Sequence, residues 1–152
     1  VSNLIGDFEV TIDAKGRITF PAGLRKQLPE GEELCFVANR SLELNCINLY
    51  TKSEWDKIEA KLTGLNSFNP KIDKLKRLIL AGSARLELDS AGRLLLPKNL
   101  IEMANISKEV VIQAQLNKIE IWDKAKYEAY ILANSADLAD LANELFGDSL
   151  EF

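Results

Sequence analysis

The chain repeats itself. Asp13-Ala14-Lys15-Gly16-Arg17-Ile18-Thr19-Phe20-Pro21 recurs 76 residues later as Asp89-Ser90-Ala91-Gly92-Arg93-Leu94-Leu95-Leu96-Pro97, with Asp, Gly, Arg and Pro identical and the apolar positions matched in kind. A second block, Ile47-Asn48-Leu49-Tyr50-Thr51-Lys52-Ser53-Glu54-Trp55, recurs at a spacing of 72 as Ile119-Glu120-Ile121-Trp122-Asp123-Lys124-Ala125-Lys126-Tyr127. Two copies of one supersecondary unit therefore account for most of the 152 residues, and whatever fold the chain adopts must be buildable twice. The change in spacing places four extra residues of the first copy in the loop between the two blocks, where insertions are tolerated.

The unit is legible element by element. Phe8, Val10 and Ile12 alternate with Glu9 and Thr11, the pattern of a half-buried strand. Asp13-Ala14-Lys15-Gly16 is a turn, with Gly16 free to take positive φ. Residues 17–20 return as a second strand, and Pro21 ends its ladder and opens a short helix over 22–28. A strand pair over 33–38 and 42–49 follows, joined by a turn at Asn39-Arg40-Ser41. Thr51-Lys52-Ser53-Glu54 is a capping box that starts a helix with Trp55, Ile58, Leu62 and Leu65 on one face. The second copy predicts strands over 84–88, 93–96, 109–114 and 118–122, with helices from Pro97 and over 124–132. Between the copies, Asn69-Pro70 opens a helix over 71–81 whose Ile72, Leu75, Leu78 and Ile79 are expected to face inward. Beyond Asn134 lies an acidic amphipathic stretch carrying Leu138, Leu141 and Leu145. The organisation predicted is a first repeat at 4–65, a connecting helix at 66–83, a second repeat at 84–132 and an acidic tail at 133–152.

Composition narrows what such a chain does. At 47% hydrophobic and 28% charged residues it can bury a core. No run of 18 apolar residues is present and Val1-Ser2-Asn3-Leu4 does not read as a signal peptide, so no membrane partner is expected. Histidine is absent, which excludes Ser-His-Asp and Cys-His chemistry and histidine-held metals. Cys35 and Cys46 form no CxxC and have no further cysteine to join them, so they are expected to be small buried thiols in a reducing cytoplasm, with a disulfide or redox pair as the alternative. There is no phosphate-binding loop and no GxGxxG, and Glu32-Glu33 sits in a loop beside Pro29 and Gly31 as a solvated pair. No catalytic residue, metal or cofactor is expected. The net charge of −4 is unevenly spread: residues 132–152 hold five acids and no Lys or Arg, which leaves +1 for residues 1–131. Lys15, Arg17, Arg25 and Lys26 lie in a stretch free of acids between Ala14 and Leu28. Local fields, not bulk charge, decide whether a polyanion binds.

Asp-x-x-Gly-Arg, three further strand residues, Pro and a short helix resembles the AbrB-like swapped-hairpin DNA-binding unit. Two such units in one chain, Asp13-Ala14-Lys15-Gly16-Arg17 and Asp89-Ser90-Ala91-Gly92-Arg93 joined through Asn69-Pro70, resemble the MraZ family of bacterial transcriptional regulators. The likeness covers about residues 5–132. It implies a mainly β fold, a double-split swapped-hairpin barrel supplied by two tandem repeats, with short α-helices added. It further implies assembly into a ring of several subunits. The ring would bind short repeated boxes in double-stranded promoter DNA of a cell-division and cell-wall operon, usually as a repressor, in the cytoplasm at the nucleoid. No enzymatic activity and no cofactor are implied.

The resemblance assigns DNA contact to Lys15, Arg17, Arg25, Lys26 and Arg93, and turn formation to Asp13, Gly16, Asp89 and Gly92. Against this, Arg17 could simply pair with Asp13 to brace the turn, and Arg25 and Lys26 could form a solvated helix face; bracing and DNA contact are compatible. The second copy replaces Lys15, Arg25 and Lys26 by Ala91, Ile101 and Glu102, with Lys98 nearby. The N-terminal unit is therefore expected to be the main reader, and the C-terminal unit a scaffold whose Arg93 braces its own turn or adds a phosphate contact. Lys71, Lys74, Lys76 and Arg77 read as a solvated helix face or a track for a DNA backbone. Trp55, Trp122, Tyr50 and Tyr127 read as core or subunit contacts in preference to base-stacking groups. Two other readings stay open: a MazE-like antitoxin with its acidic tail, and an interaction scaffold that has lost DNA binding.

Overall fold

The computed structural model describes residues 3–32 and 35–147. The first copy supplies β1 (Leu4–Thr11), β2 (Arg17–Thr19), α1 (Ala22–Arg25), β3 (Phe36–Arg40), β4 (Ile47–Thr51) and α2 (Lys52–Thr63). After the connecting helix α3 (Pro70–Leu80), the second supplies β5 (Ala84–Leu86), β6 (Arg93–Leu95), α4 (Lys98–Met103), β7 (Glu109–Leu116), β8 (Ile119–Asp123) and α5 (Lys124–Asn134). A 3-10 turn (Ser135–Asp137) then leads into α6 (Leu138–Phe146). Helix starts follow local chemistry. The Thr51 hydroxyl accepts from the Glu54 amide at the head of α2, the Asp123 carboxylate accepts from the Lys126 amide at the head of α5, and Asn69 accepts from Lys71 with Pro70 in the first turn of α3.

The strands form a six-stranded antiparallel sheet in the order β1-β7-β8-β4-β3-β5 and a separate two-stranded ribbon, β2-β6. Of the six strand pairings among the described residues, only β3–β4 and β7–β8 stay within one copy. The first strand of each copy pairs with the third strand of the other: β1 with β7, and β5 with β3. β2 pairs with β6 and β4 with β8. The copies have exchanged their first hairpins, which gives the double-split arrangement. Registers show the internal two-fold symmetry directly. Ile18 lies opposite Leu94, its own repeat equivalent, and Asn48 lies opposite Glu120, likewise its equivalent. The pseudo-axis thus passes through the middle of the ribbon and the middle of the β4–β8 pair.

One core fills the space between ribbon and sheet. Ile18 and Leu94 point inward from the ribbon, Ile47, Leu49, Ile119 and Ile121 from the sheet, and Phe20, Leu24, Leu96 and Leu100 close the sides. Each fully buried aliphatic chain contributes roughly 1.5–3 kcal/mol. The far side of the sheet carries a smaller cluster of Cys46, Val111, Trp122 and Tyr127. The aromatic residues therefore act in packing: Trp55 and Trp122 are buried, with Tyr50 5.8 Å from Trp55 and Tyr127 5.6 Å from Trp122 between ring centroids.

Several expectations are corrected. The turn placed at Asn39-Arg40-Ser41 is displaced, because Asn39 and Arg40 pair with β4 and the reversal occupies residues 41–46. The four extra residues of the first copy are divided. The registers Phe36↔Leu86 and Val10↔Val110 put two of them between α1 and β3, and the other two fall between β3 and β4. The α3 leucines do not face inward: Leu75 and Leu78 are 45% and 46% exposed, and no residue of α3 is buried. Cys35 and Cys46 are free thiols, but only Cys46 is buried; burial there raises its pKa to about 12, with Glu120 adding to the rise. Glu32 is not merely solvated, since its carboxylate accepts from the Ser53 amide at the start of α2; Glu33 lies outside the described residues.

Candidate nucleic-acid interface

Each Asp-x-x-Gly-Arg segment folds into the same small motif. Asp13 Oδ1 accepts from the amides of Lys15 and Arg17, both at 2.9 Å, while its Oδ2 accepts from Arg17 Nε at 2.7 Å. Asp89 repeats this with Ala91 at 2.9 Å, Arg93 at 2.8 Å and Arg93 Nε at 3.0 Å. The aspartate thus satisfies the turn and fixes the arginine above it. A left-handed glycine is required in each turn, at φ +89° for Gly16 and +74° for Gly92. At Gly16 a side chain would also start 3.1 Å from Ile101 Cδ1 and 3.4 Å from the Leu96 carbonyl.

Bracing leaves the arginines usable. Nε is committed to the aspartate, but the two Nη groups stay available for an incoming acceptor, and the side chains are 27% exposed at Arg17 and 36% at Arg93. The ribbon places both on one face. Arg17 stands opposite Leu95, and Thr19 opposite Arg93. Side chains alternate along a strand, so these four point outward while Ile18 and Leu94 point into the core. The two arginines are diagonal neighbours across the ribbon, roughly 7–8 Å apart at their bases. Thr19 and Leu95 are members of this surface that sequence reasoning missed. Thr19 could have been found from the alternation in Arg17-Ile18-Thr19-Phe20, whereas Leu94-Leu95-Leu96 reads as a uniformly apolar run and hides the exposure of Leu95.

Hairpin exchange also redistributes the other cations. The Phe20 amide donates to the Gly92 carbonyl and the Leu96 amide to the Gly16 carbonyl, so each turn sits beside the short helix of the opposite copy. Lys15 and its turn border a cleft of about 510 Å³ together with Lys98, Ile101 and Glu102 of α4. Arg25 of α1 reaches the other turn, where a Cβ on Gly92 would lie 3.4 Å from its Nη1; Lys26 follows it at the end of α1. The four cations assigned to an N-terminal reader are therefore not one patch. One end of the ribbon gathers Lys15, Arg17 and Lys98, the other Arg93, Arg25 and Lys26, so each end draws cations from both copies. Lys71, Lys74, Lys76 and Arg77 lie apart on α3, where Lys76 bonds the Leu65 carbonyl and Ser67 and Arg77 pairs with Asp73.

The electrostatics of the turns set a pH range. Amide donation from Arg17 to Asp13, and from Arg93 to Asp89, holds both carboxyls below the ordinary value of 3.8. A depressed carboxyl contributes its stabilisation above the unfolded pKa and loses it only as the pH falls through the lower folded value. The braces are thus intact throughout the neutral range. With no histidine in the chain, affinity for a polyanion at fixed salt is expected to be constant between pH 6 and 8. Fluorescence anisotropy at the two ends of that range checks this, and a change beyond about twofold would show that another group titrates in the interface.

Among the described residues no group of three or more Cys, Asp or Glu side chains could hold a metal ion, and no helix is long and apolar enough to cross a membrane. Against known proteins, the family model described as "MraZ protein, putative antitoxin-like" matches residues 4–78 and again 79–149. The transcriptional regulator MraZ of Christiangramia forsetii is 43% identical over 146 residues, which span 96% of this chain and 94% of that protein. Its counterpart in Flavobacterium psychrophilum is 39% identical over 97% of this chain and 94% of the relative. That of Cytophaga hutchinsonii is 36% identical over 91% of each. Two matched family units, in a chain whose two copies trade hairpins about an internal dyad, place it: the chain belongs to the MraZ family.

Proposed function

We propose that this protein is a sequence-specific transcriptional regulator that binds double-stranded promoter DNA through the outer face of the β2–β6 ribbon. The observation that carries the reading is the pair of aspartate-braced arginines, Arg17 and Arg93, held on one outward face with two further cations at either end. A two-stranded ribbon fits the major groove, and a guanidinium offers the fork that matches guanine O6 and N7. Thr19 can bond to a base edge, and the exposed Leu95 suits a thymine methyl. Lys15, Lys98, Arg25 and Lys26 would grip phosphates on either side. The curated relatives are named transcriptional regulators, which supports regulation as the outcome of binding. In its finer form the proposal is a non-enzymatic repressor of a cell-division and cell-wall operon, acting in the cytoplasm at the nucleoid as a ring on repeated promoter boxes.

The ring has a quantitative role. If all four phosphate-gripping cations engaged, one chain would give a slope of about −4 in log affinity against log salt. Neighbouring subunits on adjacent boxes gain effective concentration in addition. Titration of promoter DNA carrying several boxes, then one, over a salt series tests this. Reduction to one box is expected to cost far more than a proportionate share of affinity and to lower the slope in step with the boxes removed. Equal affinity and slope on a single box would show that one chain suffices. Absence of salt-dependent promoter binding would favour the scaffold reading, and copurification with a toxin the antitoxin one.

A further inference from the structure

We infer that α6 is an assembly arm that docks antiparallel on α3 of a second copy of this chain. The inference rests on the self-assembly proposed above and names the surfaces that make it. Helix α6 buries none of its residues. Leu138, Leu141 and Leu145 are 71%, 50% and 69% exposed and, at i, i+3 and i+7, form one stripe. Asp137, Asp140 and Glu144 each precede one of these positions or the next around the helix, so a row of carboxylates runs along one flank of the leucines. No Lys or Arg lies between residues 132 and 147 to neutralise it.

Helix α3 carries the counterpart. Ile72 and Ile79 are partly buried, while Leu75 and Leu78 stay open and wall a groove of about 410 Å³ with Leu42, Leu44 and Met103, to which the 40–45 segment also brings polar groups, Arg40 and Glu43 among them. Lys71 and Lys74 stand four residues before Leu75 and Leu78, hence beside them on the surface. Among the described residues none of Lys71, Lys74, Asp137, Asp140 and Glu144 is in an ion pair. The two helices read Lys-Ile-x-Lys-Leu-x-x-Leu-Ile from residue 71 and Asp-Leu-x-Asp-Leu-x-x-Glu-Leu from residue 137, one apolar stripe each with charges of opposite sign on the same flank. Viewed from the N-terminus, equal flanks meet only when two helices pack antiparallel; in a parallel pair they fall on opposite sides of the seam. Antiparallel docking sets the α6 leucines into the groove in the helix-in-groove mode and brings Lys71 to Glu144 and Lys74 to Asp140. Among the described residues neither face is covered within one chain, so a neighbour supplies the arm. Donor and acceptor are different surfaces, and such a heterologous contact closes into a ring when its rotation permits.

The test is size-exclusion light scattering of the full-length protein at micromolar concentration, with circular dichroism to confirm that each variant is folded. The wild type is expected as a particle several times the 17.0 kDa chain mass. Lys71→Glu/Lys74→Glu is expected to fall toward one chain mass, as are Asp140→Lys/Glu144→Lys and the charge-neutral Leu141→Ser. An equimolar mixture of the two charge-reversed proteins should regain the wild-type mass, because every interface then joins opposite charges. Variants that assemble like the wild type would overturn the docking while leaving self-assembly intact. Recovery when all four changes share one chain, but not in the mixture, would mean that α6 folds onto its own α3, and would overturn the docking between copies. A wild type that is already monomeric would remove the self-assembly reading itself.

Discussion

Alanine at both Arg17 and Arg93 is expected to lower affinity for the cognate promoter by at least about thirtyfold and to abolish discrimination against unrelated DNA. Each bidentate guanine contact contributes about 1–3 kcal/mol of discrimination, and the double change removes two per chain. The fold should survive, because both ion pairs are partly exposed at the surface and each aspartate keeps its two amide donors within the turn. Arg17→Ala and Arg93→Ala alone should cost similar amounts, since exchange gives each arginine a comparable set of neighbouring cations. Lys15→Ala should weaken all DNA alike and reduce the salt slope by about one. Binding curves for the single and double variants on promoter and scrambled duplexes decide the matter. Full specificity in the double variant would remove the ribbon from recognition, and an effect confined to Arg17 would restore a single-copy reader.

Cutting the chain within the loop before α3 is expected to abolish the native fold of each half on its own. Four of the six strand pairings join the two copies, so an isolated half retains one hairpin, β3–β4 or β7–β8. A lone two-stranded hairpin is marginal in water. Ile18 would lose Leu94, and β1 would lose every backbone partner that β7 provides. Separate expression of residues 1–66 and 67–152 should yield either unfolded chains or, through the internal two-fold symmetry, dimers of one half. Mixing the halves should regain the native circular dichroism spectrum and a cooperative urea transition. A monomeric half with its own cooperative transition would contradict the exchange of hairpins.

The sequence alone determined whatever depends on residues a few positions apart. The Asp-x-x-Gly-Arg turns close on their own atoms: a carboxylate, two amides within four residues and a glycine at positive φ. Thr51, Asn69 and Asp123 cap their helices for the same local reason, and alternation in β1 and β2 fixed which side chains share a face. Duplication was equally plain, because two blocks in constant register can be aligned without any coordinates. Tertiary structure decided the partners. A period of two specifies the face of a strand and says nothing about which of several equivalent edges it joins, so nothing in Phe8-Glu9-Val10 distinguishes β3 from β7 as its neighbour. That choice moved Lys98 to the turn of Lys15 and Arg25 to the turn of Arg93, and divided the cations of one basic segment between two ends that both copies share. It also set the exposure of Leu95, Leu75 and Leu78, since a side chain is buried only when another element covers it, and coverage is a property of the assembled layers rather than of the strand or helix that bears it.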